Sequence, residues 1–150
     1  MTTDILVRYL HFVSLILLMA AVFCQHLLLK KSMTRAEIGR VQRLDVVYLI
    51  TAIVVLLTGF AQWLWVGKPA EFYSKNPVFH TKITLFLVVG ILSIVPSIFL
   101  SKNKKGDPGE TVEVPKKIVM FIRLELLLLF LMPLLASLIA RGVGIPVVSE

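Results

Sequence analysis

The chain has 150 residues, 57% of them apolar, and a mean hydropathy of +0.88. A soluble domain of this length would be nearer half apolar, with the apolar residues in short periodic runs. Here they gather into four blocks parted by charged segments, which leaves almost no room for a separate soluble domain. The net charge is +7, and its placement excludes nucleic-acid binding as the cause. The loop 30–43 carries Lys30, Lys31, Arg35, Arg40 and Arg43, and the loop 101–117 carries Lys102, Lys104, Lys105, Lys116 and Lys117. The intervening connection holds only Lys68 and Lys75. Short loops rich in Lys and Arg stay in the cytoplasm, so topology and contact with anionic lipid account for the charge.

The first apolar run, residues 5–29, is uncharged from Tyr9 onward and long enough to span a bilayer. Its lone Cys24 excludes an intramolecular disulfide. The stretch before Cys24 is not expected to be a cleaved signal, because bulky Phe23 precedes the cysteine and the N-region has Asp4 but no basic cluster. A polar segment at 33–43 reads as a surface loop or a helical turn. The second run, 44–66, opens near Asp45 and carries Trp63 and Trp65 near its far end, where amphipathic rings favour the headgroup layer. Gly67-Lys68-Pro69 breaks it. The third run, 77–100, starts on Pro77 and contains Pro96. That proline should kink it, with Ser93 and Ser97 satisfying freed backbone groups. After a turn at 106–109 the fourth run, 115–140, contains Pro133. The tail from Arg141 reads as irregular.

The expected fold is all-α, a single four-transmembrane-helix domain with up-down-up-down topology. The expected location is a bacterial inner membrane, with both termini outside.

Ionisable residues inside such helices are functional candidates by default. Arg8 and His11 lie one turn apart at the outer end of the first helix, and His80 and Lys82 open the third. At about 1.5 Å per residue, His11 lies about 9 Å and Lys82 about 7.5 Å below the outer ends of their runs, so the two depths agree. Arg141 belongs to the same layer. Spacings of three and four put Arg8, His11, Ser14, Leu18, Ala21 and Gln25 on one face of the first helix. The matching stripes begin at Asp45 and Tyr48, at Lys82, and at Glu125. His80 stands about 200° round from Lys82 and would reach the same partner only through an irregular helix start. Bland readings compete at each position. His11 could be a hydrogen-bonded packing residue, Lys82 could snorkel to headgroups, and His80 and His26 could be interfacial. Asp45 is expected to pair with Arg43 at the inner surface, Glu125 could pair likewise with Arg123, and Cys24 is expected to be inert packing.

No Ser/His/Asp set, phosphate-binding glycine loop or cysteine metal site is present. Imidazole on a transmembrane helix is a usual axial ligand of haem b, and Arg8, Lys82 and Arg141 could neutralise its propionates. Three histidines, two of them at opposite ends of the first helix, allow one haem at most.

These residues carry a resemblance. Over nearly its whole length the chain resembles the small four-helix bacterial membrane proteins grouped as DUF2214. More distantly it is similar to the haem-dependent bacterial membrane protoporphyrinogen IX oxidase family. The oxidase motifs correspond to Arg8-Tyr9-Leu10-His11, Arg43-Leu44, Phe79-His80-Thr81-Lys82-Ile83 and Glu125. The resemblance implies His11 as a haem-ligand candidate and Lys82 as a functional lysine, the catalytic candidate; His80 is a further metal-ligand candidate, reached only through an irregular start of the third helix. The chain departs from that family by lacking a further histidine late in the third helix, where Ile94-Val95 stand, and a further basic residue near the end of the first, where His26 stands. The leading expectation is a haem b-binding membrane protein with an electron-transfer or oxidoreductase role, linked to quinol or porphyrinogen, with a quinone as a further cofactor. Its partners would be the lipid bilayer and either a second copy or other membrane redox proteins. The rival is a cofactor-free bundle serving as a partner or stability subunit of a membrane complex.

Overall fold

Four helices of 25 to 30 residues dominate the computed structural model, which describes residues 1–145. The order is α1 (Thr2–Leu28), β1 (Ser32–Thr34), α2 (Arg35–Leu64), α3 (Ala70–Ser74), α4 (Pro77–Asn103), β2 (Thr111–Glu113) and α5 (Lys116–Ala140). At about 1.5 Å per residue each long helix exceeds the roughly 30 Å hydrocarbon core. Around the bundle α1 packs on α2, α2 on α4, α4 on α5, and α5 back on α1. All four long helices qualify as membrane spans, and the chain is a multi-pass membrane protein.

The buried faces follow the three-and-four spacing of the sequence. Ser14, Leu18, Ala21 and Gln25 point inward from α1, and Asp45, Tyr48, Thr51, Val55 and Thr58 from α2. Val89, Ser93 and Pro96 point inward from α4, and Glu125, Leu129 and Met132 from α5. The outward positions are larger and more apolar, among them Ile16, Leu57, Ile91 and Leu127. Such a surface needs lipid against it.

One boundary moves substantially. The helix expected from residue 44 begins at Arg35, so the polar segment forms its first turns. Thr34 is its N-cap: Thr34 Oγ1 accepts from the Glu37 amide, and the Glu37 side chain accepts from the Thr34 amide. That reciprocal pair satisfies two otherwise orphaned donors. Just before it β1 pairs antiparallel with β2, Met33 opposite Val112, tying the two basic loops together. Arg35 reinforces the junction, donating to Glu110 at 2.7 Å and to the Asn103 carbonyl at 2.8 Å.

Pro96 and Pro133 lie inside uninterrupted helices. The serines near Pro96 act differently from expectation, because Ser93 donates to the Gly90 carbonyl and Ser97 to Asp45. Residues 141–144 form turns, while the remainder of the expected irregular tail, 146–150, lies outside the described residues.

Candidate functional site

The end of the bundle opposite the basic loops holds a half-open cleft of about 80 Å³ between α2 and α4. His11 and Leu15 of α1 and Met132 of α5 back it, and Phe60, Trp63, Phe79 and Phe86 form aromatic walls. His11 and Lys82, singled out by the sequence, both line it.

The His11 ring is held by Thr58, with Nδ1 to Oγ1 at 2.9 Å. Thr58 has one hydroxyl hydrogen, and it donates to the Val54 carbonyl at 2.6 Å. Its lone pair therefore faces His11, so Nδ1 carries the hydrogen and donates. In the neutral ring the other nitrogen, Nε2, is left as a bare acceptor. Gly59, one residue on, packs beside the imidazole: a Cβ there would meet His11 Cε1 at 3.5 Å, ordinary contact. Lys82 is half-buried on the opposite wall and makes no ion pair among the described residues. An ammonium in that setting calls for an acceptor.

The other sequence candidates fall elsewhere. His80 donates from Nε2 to the Ser74 carbonyl at 2.7 Å and does not line the cleft. The start of α4 is regular, capped by Asn76, so the irregularity that would turn His80 inward is not formed. Arg8 donates to Asp4 at 2.7 Å and lies over the turn at Gly67. That turn needs glycine, since its φ is +102°. Arg141 is exposed at the end of α5. His26 is half-buried, and its Nδ1 has no hydrogen-bond partner among the described residues.

The surface pairs Asp45–Arg43 and Glu125–Arg123 are not formed. Both acids are buried in the core, at 3% and 2% exposure, while the two arginines are exposed. Asp45 Oδ1 instead accepts from Gln25 at 3.3 Å and from Ser97 at 2.9 Å. The inward stripes of the sequence already place both acids on these buried faces. Two further residues were missed. Thr58 shares a face with Val55 and Gln62 but has no marker of its own. Asn76, 0% exposed, accepts from the Val78 amide and donates to the Val143 carbonyl, joining the start of α4 to the end of α5. Asn-Pro at the head of an apolar run was the available sign of the cap.

A haem within one chain does not fit this arrangement. The cleft of about 80 Å³ lies well below the roughly 300 Å³ at which pockets for drug-sized ligands begin. Only His11 is offered on the ligand side, since His80 is turned toward Ser74.

No curated protein and no solved structure matches the chain, and the comparisons lend no support to a relation with the haem-dependent oxidase. Over residues 3–144 the chain matches the model of a family described as a predicted membrane protein (DUF2214), and it belongs to that family.

Proposed function

We propose that the chain is a membrane redox protein whose cleft takes the head of a lipid-soluble quinol or quinone. The observation that carries this reading is the presence of His11 and Lys82 in the lining of one half-open, aromatic-walled cleft. A quinone is a flat ring with two carbonyl acceptors. The Lys82 ammonium would donate to one carbonyl, and the walls at Phe60, Trp63 and Phe86 would stack on the ring. In the quinol form a ring hydroxyl would donate to His11 Nε2, which the Thr58 bond leaves bare. One side chain thus offers a donor and the other an acceptor, which suits a ring that alternates between carbonyl and hydroxyl. The tail would remain in the bilayer beside α2 and α4.

The Lys/Arg distribution supports an orientation in which the loops 30–43 and 101–117 are cytoplasmic and the cleft lies in the outer leaflet. Cys24→Ala with a single cysteine in place of Lys104 should label with a membrane-impermeant thiol reagent only in inverted vesicles. Labelling in intact cells would reverse the orientation.

The two tryptophans make the cleft testable, since Trp63 lines it and Trp65 is 79% exposed. In a Trp65→Phe background a short-chain quinone should quench Trp63 saturably. Lys82→Met or His11→Ala should weaken that binding about tenfold or more, the scale of one lost hydrogen bond to a charged or buried group. Non-saturable quenching equal in all variants would remove the quinone reading. A visible spectrum taken on the same samples addresses haem. A Soret band lost in His11→Ala would make His11 an axial ligand instead, with the haem lying outside the single-chain cleft. No band together with no saturable quenching would favour the cofactor-free subunit.

A further inference from the structure

A second polar cluster lies about 20 Å along α2 from Thr58, counted as 13 residues at about 1.5 Å each down to Asp45. It is closed off from the cleft by packed apolar residues, including Leu18, Val55 and Leu129. Asp45 and Glu125 are 97% and 98% buried there, the complements of their exposures of 3% and 2%. Asp45 lies 10 residues beyond Arg35, the first of α2, and Glu125 lies 9 beyond Lys116, the first of α5, so at about 1.5 Å per residue both inward-facing acids stand at nearly one depth from the basic end, with Tyr48, also 2% exposed, one turn further along α2.

Every long helix contributes to the surroundings. The polar groups facing the acids are Gln25 from α1, Asp45 and Tyr48 from α2, Ser93 and Ser97 from α4, and Glu125 from α5. None is a cation, and the neighbouring Arg43 and Arg123 are exposed. Two unbalanced negative charges cannot be sustained at such a place, because the desolvation cost of an unpaired ion far exceeds what a few dipoles return. At least one acid must therefore carry a proton or a bound cation.

The hydrogen bonds indicate which acid is which. Gln25 and Ser97 both aim donors at Asp45 Oδ1, an arrangement that suits an ionised acceptor. Glu125 Oε1 is buried with no hydrogen-bond partner among the described residues. An orphaned oxygen suits a neutral acid and is a poor place for a carboxylate. A metal cation fits less well. Among the described residues no three His, Cys, Asp or Glu side chains come together, and divalent hard cations take six or more oxygens.

We propose that Glu125 and Asp45 form an intramembrane proton-binding pair, in which Glu125 holds an exchangeable proton and Asp45 sets how tightly it is held. Access is from the basic end, since Gln25 lies within one turn of the last residue of α1, Leu28. The pair stands independently of the quinone reading, being remote from the cleft and read by a different probe.

The test uses a hydrophobic carbodiimide on the full chain in detergent, followed by peptide mass spectrometry. The reagent needs the acid proton: the carboxyl protonates a carbodiimide nitrogen and its oxygen then adds to the central carbon. Glu125 should label at neutral pH, with labelling falling as the pH rises and the proton leaves. In Asp45→Asn the neighbouring charge is gone, so the fall should move to lower pH by about one unit, a tenfold weaker hold on the proton. Glu125→Gln should abolish the adduct at this position. If that variant does not fold, the Asp45→Asn shift decides alone. Absence of labelling at Glu125, or a pH profile unchanged in Asp45→Asn, would overturn the pair. Protection by sodium at constant ionic strength and pH would also overturn it, in favour of a metal-cation site.

Discussion

Asn76 joins two helix ends through a single side chain. Its oxygen caps α4 at the Val78 amide, and its nitrogen holds the Val143 carbonyl beyond α5. Removing both bonds at a fully buried position leaves one orphaned donor and one orphaned acceptor. Asn76→Ala should therefore destabilise the bundle by about 1–3 kcal/mol, combining the loss of a cap with unpaired buried groups. Reversible unfolding in mixed micelles would measure it, and a change under 0.5 kcal/mol, on the order of an ordinary surface substitution, would contradict the assignment. At this scale the sequence was informative wherever a residue type conflicts with its surroundings. His11 and Lys82 stand out because ionisable groups in apolar runs are costly. Thr58 and Asn76 do not stand out, since their value lies in partners 47 and 67 positions away. His80 and Lys82 are two residues apart, and helical rotation separates them as the 200° argument requires, one toward Ser74 and the other into the cleft.

Among the elements, the four helices were legible because each is a long apolar run, and their inner faces because small and polar residues recur every three or four positions. The start of α2 differs from the expectation, since the charged segment that suggests a loop is helical from Arg35 onward. Thr34-Arg35-Ala36-Glu37 is a capping box, and its signal was present. The β1–β2 pairing had no such local mark, because three-residue strands carry too little pattern to declare a partner nearly eighty residues away. Their junction makes a pH prediction. Arg35 donates to Glu110 and holds its carboxyl below the usual value of 4.5. A depressed acid lends stability that is fully present above the ordinary carboxylate value and is lost as the pH falls through the lowered one. Amides of 111–113 should therefore exchange faster, after correction for intrinsic rates, below about pH 4. Glu110→Gln should remove that dependence. The effect should be small and should weaken with salt, because the glutamate is solvent-exposed. Exchange equal in the variant and the parent throughout would show that the ion pair does not hold the strands.

For the molecule as a whole, the packing sorts chemistry by depth. Apolar side chains face lipid, and small and polar ones face inward. Two polar clusters lie at different levels, one open between α2 and α4 and one sealed in the core. The sequence marked the first through His11 and Lys82, whereas the second needed the rotation of four helices about one another to bring Asp45, Tyr48 and Glu125 to inward faces of one core. Such an arrangement places a ring-binding cleft and a proton-binding pair on one rigid bundle, joined through α2. The most direct test of the cleft is photo-crosslinking with an azido-substituted short-chain quinone in lipid nanodiscs, with adducts located by mass spectrometry. The expected adducts fall on the wall segments 55–63 and 79–86, are competed by unmodified quinone, and are lost in Lys82→Met. Adducts scattered over the lipid-facing surface, or unaffected by competitor and by Lys82→Met, would contradict a quinone site at His11 and Lys82.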